Sequence, residues 1–231
     1  MQYEERDISM SNSVKCQSLF SFNGVLFKKL LSEYQYPWEI LPRLKAVIEA
    51  LVREGIEGYT LYSDGILIGR GVHIDKSAHI DAPCIIGEGT EIRHCAYLRG
   101  SLLIGRGCVI GNSCEVKNSI IMDGAQVPHY NYVGDSVLGE RAHLGAGAIC
   151  SNLRSDKREV TVRCGLERIE TGLRKLGAII GDNAEIGCGT VLCPGTIIGK
   201  NTALYPLTMA RGYYPDDSIV KQDGTVIERR A

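Results

Sequence analysis

From Ile74 onward an aliphatic residue returns at every sixth position: Ile74, Ile80, Ile86, Ile92, Leu98, Ile104, Ile110 and Val116. After one five-residue step the series resumes at Ile121, Val127 and Val133, shortens again to Leu138 and regains six at Leu144. It returns at Ile180, Ile186, Leu192, Ile198 and Leu204, and glycine often follows, as in IIGEGT, LIGRGC, VIGNSC and IIGKNT. Chance alternation in ordinary strands does not hold a phase of six this long. The pattern fits short flat strands joined by tight corners, each sending one side chain into a narrow prism. Glycine and asparagine then serve corners that need positive φ or lack room for Cβ. The expected fold is mainly β, a parallel β-helix of hexapeptide repeats with three strands per coil and about six coils.

Two segments break the period. Residues 16–57 place apolar and charged residues at helical spacing, with Pro42 suited to a first turn before LKAVIEALV. They predict two or three short helices covering the open end of the prism, which protects an exposed edge. Residues 151–178 lose the period and gain charge, as expected of a loop extruded from a coil, and long loops of this kind are often functional. The chain thus divides into a helical cap, 1–60, and a β-helix domain, 61–231, that carries the extruded loop.

Composition narrows the possibilities. The 231 residues are 44% hydrophobic with a net charge of −1, and no lysine or arginine block is dense enough to neutralise a polynucleotide. A nucleic-acid partner is therefore not expected, and an anionic ligand must be small and locally bound. The first 20 residues carry acids and no continuous apolar run, and nowhere is there a membrane-length apolar segment, so the expectation is a cytoplasmic chain without membrane contact. Nine cysteines without a CxxC pair read as reduced, mostly buried small residues, with no metal expected. His73, His79 and His94 leave zinc chemistry as a third reading, but nothing in their spacing gathers them.

The segment EVKNSIIMDGAQVPHYNYVGDSVLGERAHLGAGAICSNLRSDKREV, residues 115–160, together with TGLRKLGAIIGDN, 171–183, resembles a known family. It is similar to the acetyltransferase half of the bifunctional enzymes that make UDP-N-acetylglucosamine, and to their archaeal-type sugar-1-phosphate nucleotidylyltransferase/acetyltransferase relatives. The resemblance implies a left-handed β-helix, a homotrimer with sites between protomers, and acetyl-coenzyme A as co-substrate. The expected activity is N-acetylation of an amino sugar phosphate or a nucleotide-linked amino sugar. By the PHxxYxGD motif, His129 is the implied general base, a fitting residue because a protonated amine is no nucleophile and histidine titrates near neutrality.

Other roles follow from the same resemblance. Tyr132 supports the histidine or contacts the sugar phosphate, Asn152 contacts the sugar, and Asn131 is a weaker substrate contact. Arg99 and Lys117, each one residue after an aliphatic position, supply charge for the phosphate, as does Arg158 in the loop. Ala146 and Cys188 lie beside the pantetheine arm, and Arg174 and Lys175, or Arg211, are candidates for the coenzyme A phosphates. The chain departs from the family at His143, where asparagine is usual, and at Thr161, where a loop lysine is expected. No segment before residue 74 is long enough for the relatives' nucleotidyltransferase sheet, so nucleotidyl transfer is not expected. A second reading is therefore a non-catalytic subunit that assembles with or regulates a separate nucleotidyltransferase.

Overall fold

The computed structural model describes residues 10–229, so the opening nine residues of the stretch read above for a targeting signal lie outside it. From residue 59 onward the chain winds into three faces of nine, seven and nine strands, parallel except where the first strand, Tyr59–Ser63, and the last, Val226–Glu228, pair antiparallel. The aliphatic series forms the interior. On the first face Ile86, Ile104, Ile121, Leu138, Ile180 and Ile198 follow one another in register. On the second, Leu98, Val116, Val133, Cys150, Leu192 and Ala210 do so, and on the third, Ile74, Ile92, Ile110 and Val127 lead to Leu144, Ile186, Leu204 and Val220. There are more coils than the expected six because the ladder continues through Cys150, Ala210, Tyr214 and Val220, which fall outside the regular aliphatic step.

Both five-residue steps, Val116 to Ile121 and Val133 to Leu138, fall at the corner from the second face to the first, where Asn118 (φ 44°) and Asp135 (φ 50°) turn the chain left-handed. At the same corner one coil later the chain leaves the prism, so that Leu138 pairs with Ile180. The excursion is an antiparallel hairpin of strands Val160–Cys164 and Glu167–Leu173. Val160, Val162 and Cys164 turn inward and are buried, while Thr161 and Arg163 alternate outward as a two-residue period requires.

The helices lie elsewhere than expected. They run along the flank of the first face and do not close the end of the prism. Strands of that face carry a second, outward aliphatic residue beside the inward one: Leu67, Ile85, Leu103, Ile120, Val137, Ile179 and Ile197. A sheet apolar on both sides must be covered on both sides. Helix Leu44–Glu54 packs on strands Cys84–Ile86 and Leu102–Ile104, the one-turn helix Cys16–Leu19 and the 3₁₀ segment Pro37–Arg43 add Leu19, Trp38, Ile40 and Leu41, and the hairpin covers the later strands. Each aliphatic side chain buried this way contributes about 1.5–3 kcal/mol.

Two buried carboxylates fasten the helical segment to the prism. Glu140 accepts from the main-chain N–H of Asn23 at 2.8 Å and from its side-chain amide at 2.7 Å. Asp182 accepts from the N–H of Ser21 at 2.6 Å and of Glu140 at 2.8 Å. Burial pushes the Asp182 carboxyl above its ordinary value, and these N–H donors pull it back. Asp182→Ala leaves buried donors without an acceptor and is expected to cost about 1–3 kcal/mol in denaturant unfolding. Amide exchange at Ser21 and Glu140 should accelerate in the same variant, and unchanged protection there would show that the carboxylate is not what fastens the segment.

Candidate active site

Several residues singled out in the sequence meet at the shortened corner between the second and first faces. Strand Glu115–Lys117 pairs with strand Tyr132–Gly134, which pairs with Ile149–Cys150, so that Lys117, Gly134 and the start of the hairpin excursion stack on successive coils. Asp135 is the hub. It is buried, and its Oδ1 accepts from Asn118 Nδ2 at 2.8 Å. Its Oδ2 accepts from Asn152 Nδ2 at 2.5 Å and faces Lys117 Nζ at 3.4 Å. Asn152 Nδ2 also reaches the Tyr132 hydroxyl at 3.2 Å. Burial, and then the Asp135 charge, push the Tyr132 phenol above its ordinary value.

Gly134 makes this crossing possible. A Cβ on it would stand 2.5 Å from the Tyr132 hydroxyl and 2.6 Å from Asn152 Nδ2. Arg99 stacks one coil before Lys117, through the Leu98–Val116 pair. Its guanidinium bonds Glu115 at 2.6 Å, lies 5.9 Å from the centre of the Tyr97 ring, and is held still more firmly protonated by the carboxylate. Of the three cations expected for a phosphate, Arg99 and Lys117 are therefore already engaged by carboxylates. Asp135 and Glu115, which neutralise them, were not singled out in the sequence, although Asp135 closes the very motif that supplied His129.

His129 stands at the other end of the second face, at the corner from the third. Val127 before it and Val133 after it are wholly buried, whereas His129 is exposed and precedes Tyr130, whose φ is 52°. Among the described residues no hydrogen bond or ion pair engages its imidazole, and none joins it to the Asp135 cluster. Main-chain bonds align this corner from coil to coil. Gly147 N–H donates to the His129 carbonyl at 2.9 Å, Gly189 N–H to that of Ala146 at 2.8 Å, and Leu207 N–H to that of Cys188 at 2.8 Å. His129, Ala146 and Cys188 thus form one column, with about 4.8 Å between coils. Ala146 and Cys188 are both exposed.

The remaining candidates are distributed differently. Asn131 corrects the expectation of a substrate contact: it is 2% exposed and points into the prism. Its Nδ2 donates to the carbonyls of Gly145 at 2.8 Å and Ala148 at 3.1 Å, and its Oδ1 accepts from the His129 N–H at 3.0 Å, so it braces the corner that carries the histidine. Arg158 and Arg174, assigned above to different ligands, line one concavity on the hairpin. Arg211 lines an adjoining cleft, and Lys175 bridges Leu153 through the main chain at the hairpin's base. His143 bonds Glu185 across coils at 2.9 Å. No helix of the described residues is long and apolar enough to cross a membrane.

Comparison with known proteins agrees with this architecture. Residues 65–100 match the bacterial transferase hexapeptide repeats, and residues 100–166 match the GMPPB C-terminal domain. A bifunctional sugar-1-phosphate nucleotidylyltransferase/acetyltransferase of Sulfurisphaera tokodaii is 47% identical over 92 residues, 40% of this chain and 23% of the relative. The bifunctional protein GlmU of Methanococcus maripaludis strain S2 is 30% identical over 212 residues, 90% of this chain and 51% of the relative. The chain therefore spans at most about half the length of these two relatives. Among solved structures, PerB of Caulobacter crescentus, in complex with CoA and GDP-perosamine, is 19% identical with a TM-score of 0.38, covering 65% of this chain and 53% of that one. The chain thus carries hexapeptide repeats and is similar to the bifunctional sugar-1-phosphate nucleotidylyltransferase/acetyltransferases in their acetyltransferase-like region.

Proposed function

We propose that the chain is an acetyl-coenzyme A dependent N-acetyltransferase acting on an amino sugar phosphate or a nucleotide-linked amino sugar, with His129 as general base. The observation that carries this reading is the column at one corner. An exposed imidazole without a partner of its own stands in line with the small, exposed residues Ala146 and Cys188. A neutral imidazole with no competing bond is free to accept a proton from an incoming ammonium or amine. Ala146, set between two glycines, leaves main chain open beside which an extended pantetheine arm would lie. The acetyl thioester supplies the electrophilic carbonyl, and the chain's part is to hold the amine deprotonated against it.

The Asp135 cluster supports the sugar end of this reading. Asn152 is held by a buried carboxylate and in turn donates to the Tyr132 hydroxyl, so the pair presents fixed polar atoms at the edge of the second face. That face carries an apolar row in register, Ile149, Val191 and Met209, with Met209 72% exposed. A row of this kind fits burial against another copy of the chain. We accordingly place the reaction in a homotrimer, with the His129 corner facing a neighbouring protomer.

His129→Ala is expected to lower thiol release from acetyl-coenzyme A, with glucosamine-1-phosphate or a related amine as acceptor, by about 10²–10⁴-fold. The oligomer, followed by sedimentation, should survive, and full activity in this variant would remove the base assignment. The hub is tested through stability. Asp135→Ala strands Lys117 beside a cavity and should cost about 2–3 kcal/mol, and adding Lys117→Met should restore much of that loss in denaturant unfolding.

A further inference from the structure

The acyl-transfer reading requires a place for ligand phosphate, and two of the three cations expected to provide it, Arg99 and Lys117, are compensated by Glu115 and Asp135. Cations without such partners gather on the hairpin. Lys157, Arg158, Arg168 and Arg174 line one concavity with Arg154, Thr161 and the carboxylates Glu159 and Glu170. Arg154 is held by Asp156 at 2.6 Å, but the other four make no ion pair among the described residues.

The register of the hairpin concentrates the charge further. Arg163 stands directly opposite Arg168 across the two strands. Like charges in that position repel and are destabilising unless an anion lies between or beside them. The guanidinium groups are not on a free loop, because Val160, Val162 and Cys164, on the other side of the same strand, are buried against the first face. Arg163 lines the adjoining cleft, which shares Arg154 and Thr161 with the concavity and extends past Leu153 and Ser151, the two neighbours of Asn152. A continuous surface therefore leads from the Asp135 cluster to the basic hairpin.

We propose that this hairpin basin is a single binding site for the phosphates of a nucleotide, with Arg158 and Arg174 serving one ligand. The inference rests on the acyl-transfer reading only for which nucleotide is bound. Two sources share the chemistry: the phosphoadenosine diphosphate end of coenzyme A, or the diphosphate of a nucleotide-linked amino sugar. Guanidinium groups suit either, since their paired N–H donors match phosphate oxygens two at a time.

Isothermal titration of the full chain with coenzyme A, dephospho-coenzyme A, UDP and inorganic pyrophosphate tests the site without any turnover. In the wild type at least one of these probes should bind, with an affinity that falls as salt is raised. In Arg158→Glu/Arg174→Glu the same probe should bind at least tenfold more weakly, while the thermal midpoint stays near that of the wild type. Selective loss of coenzyme A binding assigns the basin to the acyl donor, and selective loss of UDP binding assigns it to the acceptor. If no probe binds the wild type, or if the double variant binds them all as well as the wild type does, the basin is not a nucleotide-phosphate site. A chain that fails to transfer acetyl yet shows the charge-dependent binding would retain the basin and lose the acyl-transfer reading.

Discussion

Each strand of a prism this narrow buries one side chain, and that side chain is covered only when the coils above and below lie in register with it. A single coil has no core of its own. The constraint accounts for the persistence of the six-residue phase and for where it is allowed to slip. A step shortened inside a strand would turn the wrong residue inward, whereas one shortened at a corner changes only the turn. Both five-residue steps fall at such a corner, and the hairpin leaves the prism at the same corner one coil later. Departures from regularity therefore collect in one place, and with them the polar residues Lys117, Asn118, Asp135 and Asn152.

The second layer of the fold depends on the first. Stacking in register lines up whatever stands beside the inward row, and on one face the neighbours are aliphatic from Leu67 to Ile197. That outer row is what the helices and the hairpin cover. It was legible in the sequence as doubled aliphatics, Ile85–Ile86, Leu103–Ile104, Ile120–Ile121 and Ile179–Ile180. Attention to the period alone passed over them and set the helices at the end of the prism. A regular solenoid also needs protection at its ends, but seven coils of exposed aliphatic surface are the larger debt to water.

A similar signal would have placed Asn131. Two residues before many of the inward side chains stands a small buried residue, as at Ala96, Cys108, Cys114, Ala125, Ala142, Ala148 and Ala184. The slot explains several of the buried cysteines, and Asn131 occupies it two residues before Val133. An amide there can satisfy its donors only on main-chain carbonyls of the next coil, as it does with Gly145 and Ala148. The ion pairs were not legible in this way. That Glu115 neutralises Arg99 depends on which residues meet across coils, separated by 16 positions, and on rotamers that no period encodes.

The motif PHYNYVGD thus holds residues present for different physical reasons. Val133 fills the prism, Asn131 closes the corner, and Gly134 is small because the Tyr132 hydroxyl and the Asn152 amide cross above it. Asp135 is buried because it collects the donors of the crossing side chains and the Lys117 ammonium. Pro128 is buried beside Val127, so every position but two has a use in packing or in the internal polar network. Those two are His129 and exposed Tyr130, which accepts the left-handed turn. Of them only His129 carries an imidazole, and no scaffold contact uses its ring. An imidazole placed where neither the packing nor the internal polar network uses it is the observation on which the proposed role of His129 rests.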